Sequence, residues 1–147
     1  MDLILWRHAD AEDGSPDEER KLTGKGEKQA QRIAGWLKER LPKDAVVLSS
    51  TARRARETAQ ALTKRYQTNN EIGTSATPRS VLKAAGWPRG DGTVVVVGHQ
   101  PTFGQTVALA LTGNEADWSV KKGGIWWLQS RDDGEVVVRA VISPGML

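Results

Sequence analysis

A chain of 147 residues without a single cysteine can hold no disulfide staple, thiolate zinc site or cysteine nucleophile. Its 21 basic and 18 acidic residues leave a formal charge of +3, too mild to mark a nucleic-acid face by itself. No run approaches the ~20 apolar residues of a membrane span, and no basic segment precedes a long apolar one, so a cytoplasmic protein without a signal peptide is expected.

Leu3–Trp6 is a short apolar run that reads as a buried strand, and it ends abruptly in Arg7-His8. Residues 9–21 are charged, with Gly14-Ser15-Pro16 in their middle, and read as a loop. Thr23 is placed to cap a helix whose stripe is Ala30, Ile33, Ala34, Leu37 and Leu41, ended by Pro42. A second apolar run, Ala45–Leu48, leads into Ser49-Ser50. Ala55, Ala59, Leu62 and Tyr66 predict a helix over about 52–66. Residues 67–92 read mainly as loop, with a short helix near Arg79–Ala85. Thr93–Val97 has the composition of a strand covered on both faces, and Gly98-His99-Gln100-Pro101 follows it. Pro101 suits the first turn of a helix that Gly113 would end. Ile125–Ser130 and Glu135–Ile142 flank Asp132-Asp133-Gly134 and read as a hairpin.

Strands thus alternate with helices up to residue 113, which predicts an α/β three-layer sandwich. Its sheet would be mainly parallel with an antiparallel edge, and residues 1–147 would form one domain. In such sheets ligands bind beyond the carboxyl ends of the strands. Three strand exits carry polar side chains: Arg7 and His8; Ser49 and Ser50, with Arg53, Arg54 and Arg56 one turn on; and His99. Parallel strands bring those exits to one edge, so the chain's two histidines would face each other among arginines. A guanidinium fork matches phosphate oxygens, and a neutral imidazole is a nucleophile that needs no base. Each residue alone has a blander reading: a hydrogen-bonded structural histidine, or an arginine on a solvated helix face. The coincidence of three exits is what points to phosphoryl chemistry.

The same residues carry a resemblance. Arg7-His8 is similar to the Arg-His-Gly signature of the histidine phosphatase superfamily, which has the phosphoglycerate-mutase-like fold. "RKLTGKG" at 20–26, "SSTARRARETA" at 49–59 and "VVVVGHQP" at 94–101 resemble further family segments in order and spacing. The short length most resembles the SixA-type phosphohistidine phosphatase branch. The resemblance implies that His8 is the nucleophile and passes through a phosphohistidine intermediate. It implies that Arg7 and Arg54 bind phosphate, that His99 binds the phosphoryl oxygens and stabilises the transition state, and that Arg20 closes over the phosphate. It implies no metal and no cofactor. Ala9 stands where the signature often has glycine, which leaves the carbonyl that orients the histidine ring in place.

The family's larger members draw a proton-donating carboxylic acid from the middle segment. Here residues 66–93 offer only Glu71 and Asp91, and among Asp10, Glu12, Asp17, Glu18 and Glu19 nothing singles one out. An alkoxide leaves poorly without a proton, whereas an imidazole leaves a phosphoramidate with less help. The expected substrate is therefore phosphohistidine in a protein, with inorganic phosphate as product and no nucleic-acid or membrane partner. Small phosphate esters are the alternative. A non-enzymatic phosphate-dependent or nucleic-acid binding module is the second. Trp87, between Gly86 and Pro88, is expected to be exposed and open to a partner protein.

Overall fold

Leu3, Ile4, Leu5 and Trp6 are all fully buried, which a strand achieves only when both faces of its sheet are covered. They form the centre of β1 (Asp2–Arg7) in a computed structural model that describes residues 1–147. Alternation sends Ile4 and Trp6 to one core and Leu3 and Leu5 to the other. The chain continues through α1 (Gly24–Lys38), β2 (Val46–Ser49), α2 (Arg53–Leu62), β3 (Gln67–Thr68), α3 (Pro78–Ala85), β4 (Thr93–Gly98), α4 (Thr102–Thr112), β5 (Ile125–Ser130) and β6 (Val136–Ile142). The sheet order is β3-β2-β4-β1-β5-β6. The first four strands in that order are parallel, and β5 and β6 make an antiparallel edge two strands wide.

The helices divide between the faces. Ala30, Ile33, Ala34 and Leu37 of α1 and Ala55 and Ala59 of α2 pack on Ile4, Trp6, Val95, Val97 and Trp127. Val81 and Ala85 of α3 and Phe103 and Val107 of α4 pack on Leu3, Leu5, Val94 and Val96. The four valines of β4 thus serve both cores in alternation, which is why that run reads as continuous rather than amphipathic.

Several boundaries differ from the sequence pattern. Helix α1 ends at Lys38, and the stripe's last member, Leu41, is held in a following turn by its N–H on the Leu37 carbonyl at 2.8 Å. Helix α2 ends at Leu62 because Thr63 is extended, with φ −159°, and its hydroxyl accepts from the Arg65 N–H. Tyr66 therefore lies outside it, and Gln67–Thr68 pairs with Leu48 and Ser49 as a strand of two residues. Trp87 is not freely exposed: Gly86, at φ 77°, turns the chain so that the ring packs half-buried on the second core.

The start of α1 is pressed against the chain that leaves β1. Thr23 caps it by accepting from the Gly26 N–H at 3.0 Å, and a Cβ on Gly26 would overlap the Asp10 carbonyl. Replacing Gly26 by Ala is expected to cost on the order of 2 kcal/mol or more, because backbone must move. Gly35→Ala, on the exposed side of the same helix with nothing within 4 Å, should instead gain about 0.8 kcal/mol. Urea unfolding of the two variants checks both signs.

Candidate active site

The register of β1 against β4 pairs Arg7 with Gly98, and the His8 N–H donates to the Gly98 carbonyl at 2.9 Å. One residue further along each chain stand His8 and His99. Their ring centroids are 5.3 Å apart and the planes are tilted by 57°. The two imidazoles that the sequence separates widely are thus neighbours at the carboxyl end of the parallel strands.

Hydrogen bonds fix the tautomer of each ring. His8 Nδ1 lies 2.8 Å from the Ala9 carbonyl oxygen, which can only accept. Nδ1 therefore carries the proton, and the lone pair of neutral His8 is on Nε2. His99 Nε2 lies 2.8 Å from Ser50 Oγ, which also accepts from the Ala52 N–H at 3.1 Å. Ser50 is fully buried, and its hydroxyl proton has no other acceptor. It donates to Nε2, leaving the proton of neutral His99 on Nδ1.

Burial keeps both rings uncharged. Desolvation pushes His8 down to about 4 against the opposing hydrogen bond of Ala9, with Arg54, Arg7 and Arg20 adding to the fall. Desolvation pushes His99 down to about 3, helped by His8 and Arg54.

The arginines come from three places. Arg7 ends β1 and donates from Nη1 to the Val120 carbonyl at 2.9 Å, and its Nε has no partner. Arg54, in the first turn of α2, is only 4% exposed. It donates from Nη1 to the Asp17 carbonyl at 2.8 Å and from Nη2 to the Asp17 carboxylate at 3.1 Å. Arg20 donates from Nε to Asp17 Oδ1 at 2.9 Å and from Nη1 to the Glu12 carbonyl at 3.0 Å. Arg7, His8, Arg20, Arg54 and His99 all line one cavity of about 360 Å³.

Arg53 and Arg56 do not reach it: Arg53 pairs with Glu57 at 3.1 Å, and Arg56 donates to the Thr51 carbonyl at 3.1 Å. Asp91 sits at the opposite end of the sheet, beside Met1 and Trp87. Glu71 is exposed and does not line the cavity. Asp10 lies beside the cavity and is held by Lys122 at 2.9 Å and Thr23 at 2.7 Å. The carboxylates that do line it are Asp13 and Asp17. Sequence reasoning had no means of choosing Asp17 among the loop's acids, and it did not weigh Asp13. It also missed Lys122, which lines the cavity from the segment before β5. No group of three or more His, Asp or Glu side chains is arranged to hold a metal ion.

A mainly parallel sheet that sets two neutral imidazoles among three guanidiniums defines a class of phosphate-handling α/β protein. The chain belongs to the histidine phosphatase superfamily (branch 1), whose pattern matches residues 3–75. A protein of Picosynechococcus is 32% identical over 88% of this chain and 86% of its own length. A protein of Mycobacterium tuberculosis is 38% identical over 71% of this chain and 67% of its own. Among solved structures the likeness is to the SixA type. The protein histidine phosphatase SixA complexed with tungstate has a TM-score of 0.86 at 24% identity over 99% of both chains. SixA of Agrobacterium tumefaciens has a TM-score of 0.77 at 26% identity over 98% of both. A phosphoserine phosphatase of Entamoeba histolytica shares the fold, with a TM-score of 0.75 at 20% identity over 99% of this chain and 98% of its own.

Neutral buried histidines link stability to pH. An unfolded chain takes up protons near the ordinary 6.5, whereas the folded chain resists until about 4 for His8 and about 3 for His99. Their contribution is complete above 6.5 and is lost as pH falls from there towards 4, with a slope of at most about 1.4 kcal/mol per pH unit per histidine. Urea unfolding between pH 7 and 4.5 should show a shallower acid slope in His99→Gln than in the parent chain. Equal slopes would exclude this origin.

Proposed function

We propose that the protein hydrolyses a phosphoryl group through a covalent intermediate on His8, and that its substrate is phosphohistidine in a protein. The observation that carries the reading is the bond from His8 Nδ1 to the Ala9 carbonyl. It leaves Nε2 with a free lone pair beside three guanidiniums.

In the first step Nε2 of His8 forms a bond to phosphorus while the bond from phosphorus to the substrate's imidazole nitrogen breaks in line. The substrate ring, protonated on its other nitrogen, keeps the electron pair of the broken bond and departs as neutral imidazole, while the phosphorylated His8 ring retains its proton on Nδ1. In the second step water attacks the phosphorylated His8, a water proton is released, and inorganic phosphate leaves with the ring restored. Arg7, Arg54 and Arg20 hold the equatorial oxygens through both steps, and His99 donates to one of them from Nδ1. Ser50 acts through His99 by fixing its tautomer. Negative charge on the transferring group is thereby met by fixed guanidiniums and an uncharged donor.

The choice of phosphohistidine rests on the leaving group. An alkoxide departs with a proton supplied by a neutral acid. Asp17 is held ionised, its carboxyl pulled below the usual range by the hydrogen bond from Arg20. It is therefore a poor acid at neutral pH, and an imidazole is the leaving group that asks least of it. The walls of the cavity also come from surface segments. Asp17 and Thr74 both line it and are both exposed, which leaves room for a side chain projecting from another protein.

Incubation with a phosphohistidine-bearing protein should release inorganic phosphate at least about a hundredfold faster, per kcat/KM, than with phosphoserine or other alkyl phosphates. Rapid quenching should trap an acid-labile, alkali-stable phosphoprotein that is absent from His8→Ala. Arg54→Ala should lower kcat/KM by roughly two orders of magnitude or more. Label that persists in His8→Ala would reject the nucleophile, and faster turnover of alkyl phosphates would reject the substrate.

A further inference from the structure

We propose that Asp17 is an internal competitor of the phosphoryl group: its carboxylate bridges Arg54 and Arg20, yields them to the substrate, and reclaims them as phosphate departs. This rests on the reading of the cavity as a phosphoryl site.

Asp17 sits at the tip of a closed excursion of the chain. The Ala11–Leu22 bridge and the Glu12 N–H on the Lys21 carbonyl, at 2.8 Å, tie its base. A 3-10 turn over Asp17–Glu19 then presents the Asp17 carboxylate to both guanidiniums, Oδ2 to Arg54 and Oδ1 to Arg20. One of those guanidiniums is buried, but the carboxylate side chain is 57% exposed. A buried charge is thus matched by a partner that can swing into water and rehydrate at small cost.

Positioning and charge are handled by different atoms. The Asp17 main-chain carbonyl, not its carboxylate, accepts the shorter bond from Arg54, at 2.8 Å. The Glu12 carbonyl independently holds Arg20 at 3.0 Å. Both arginines stay anchored when the carboxylate lets go. What the carboxylate adds is a negative charge on the donors that phosphate oxygens need. Two anions sharing those donors repel, so each weakens the hold of the other. A site built this way sacrifices some affinity for phosphate in return for release of product, which an uncompensated arginine cluster would retain.

The two roles predict opposite signs. Inhibition by inorganic phosphate is measured on the full chain and on Asp17→Asn, with Asp17→Ser as a second variant. Both should bind phosphate about tenfold more tightly than the parent. Glu19→Gln, which removes a neighbouring carboxylate that forms no ion pair with either arginine, should stay within about twofold, so that overall charge is not the cause. Unchanged or weaker phosphate binding in the Asp17 variants would overturn the proposal and make the carboxylate a mere support for the arginines. Arg54→Ala separates this from failure of the underlying reading. If it binds phosphate as the parent does, the cavity is not a phosphoryl site, and the proposal falls with it.

Discussion

The pairing of β1 with β4 decides where both imidazoles stand. Neighbouring parallel strands in register leave the sheet at the same level, so the residues just past Arg7 and Gly98 meet as a matter of course. A shift of one residue in that pairing would separate the rings and turn alternate side chains from one core to the other. The two apolar cores therefore fix the site's geometry as well as the fold: Ile4, Trp6, Val95 and Val97 are seated on one face, and Leu3, Leu5, Val94 and Val96 on the other. Precision at the polar edge is inherited from packing in the apolar layers.

Holding cations and imidazoles out of water is costly, and the chain meets that cost with backbone rather than with buried acids. Carbonyls of Val120, Asp17 and Glu12 each take a guanidinium N–H, and the Ala9 carbonyl takes the imidazole proton. Carbonyl oxygens neutralise no charge. Apart from the exposed Asp17 carboxylate, which pairs with Arg54 and Arg20, the cluster keeps its positive charge while its donors stay directed. The same charge, together with burial, keeps His8 and His99 unprotonated.

Much of this was legible in the residues. Continuous apolar runs such as Leu3–Trp6 and Thr93–Val97 betray strands covered on both sides, and a parallel sheet gathers their exits. His8, His99, Arg7 and Arg54 were accessible on those grounds, and Arg54 was separated from Arg53 and Arg56 by the spacing it shares with the family. Other features lay beyond local sequence. Gln67 and Thr68 are exposed and carry no pattern, so β3 exists only through its pairing with β2. The place of Trp87 depends on the left-handed turn at Gly86. Asp17 looks like any of its acidic neighbours until a loop closed at its base brings it to two arginines. Pattern reports what a segment buries; it says little about how a polar excursion folds back.

The segment leading into β5 grips the strand that delivers Arg7 and His8. Val120 accepts from Arg7, Gly123 accepts from the indole of Trp6 at 2.9 Å, and the Gly123 and Gly124 backbone is bonded to His8 and Arg7 at 3.2 and 3.0 Å. Every group assigned to the chemistry has been supplied by residue 99, yet this clasp is made more than twenty residues afterwards. A nascent chain emerging in order would hold its complete reactive inventory before owning the brace that steadies it. The steadying of Arg7 and His8 thus falls to a late segment that lends the cavity neither an imidazole nor a guanidinium.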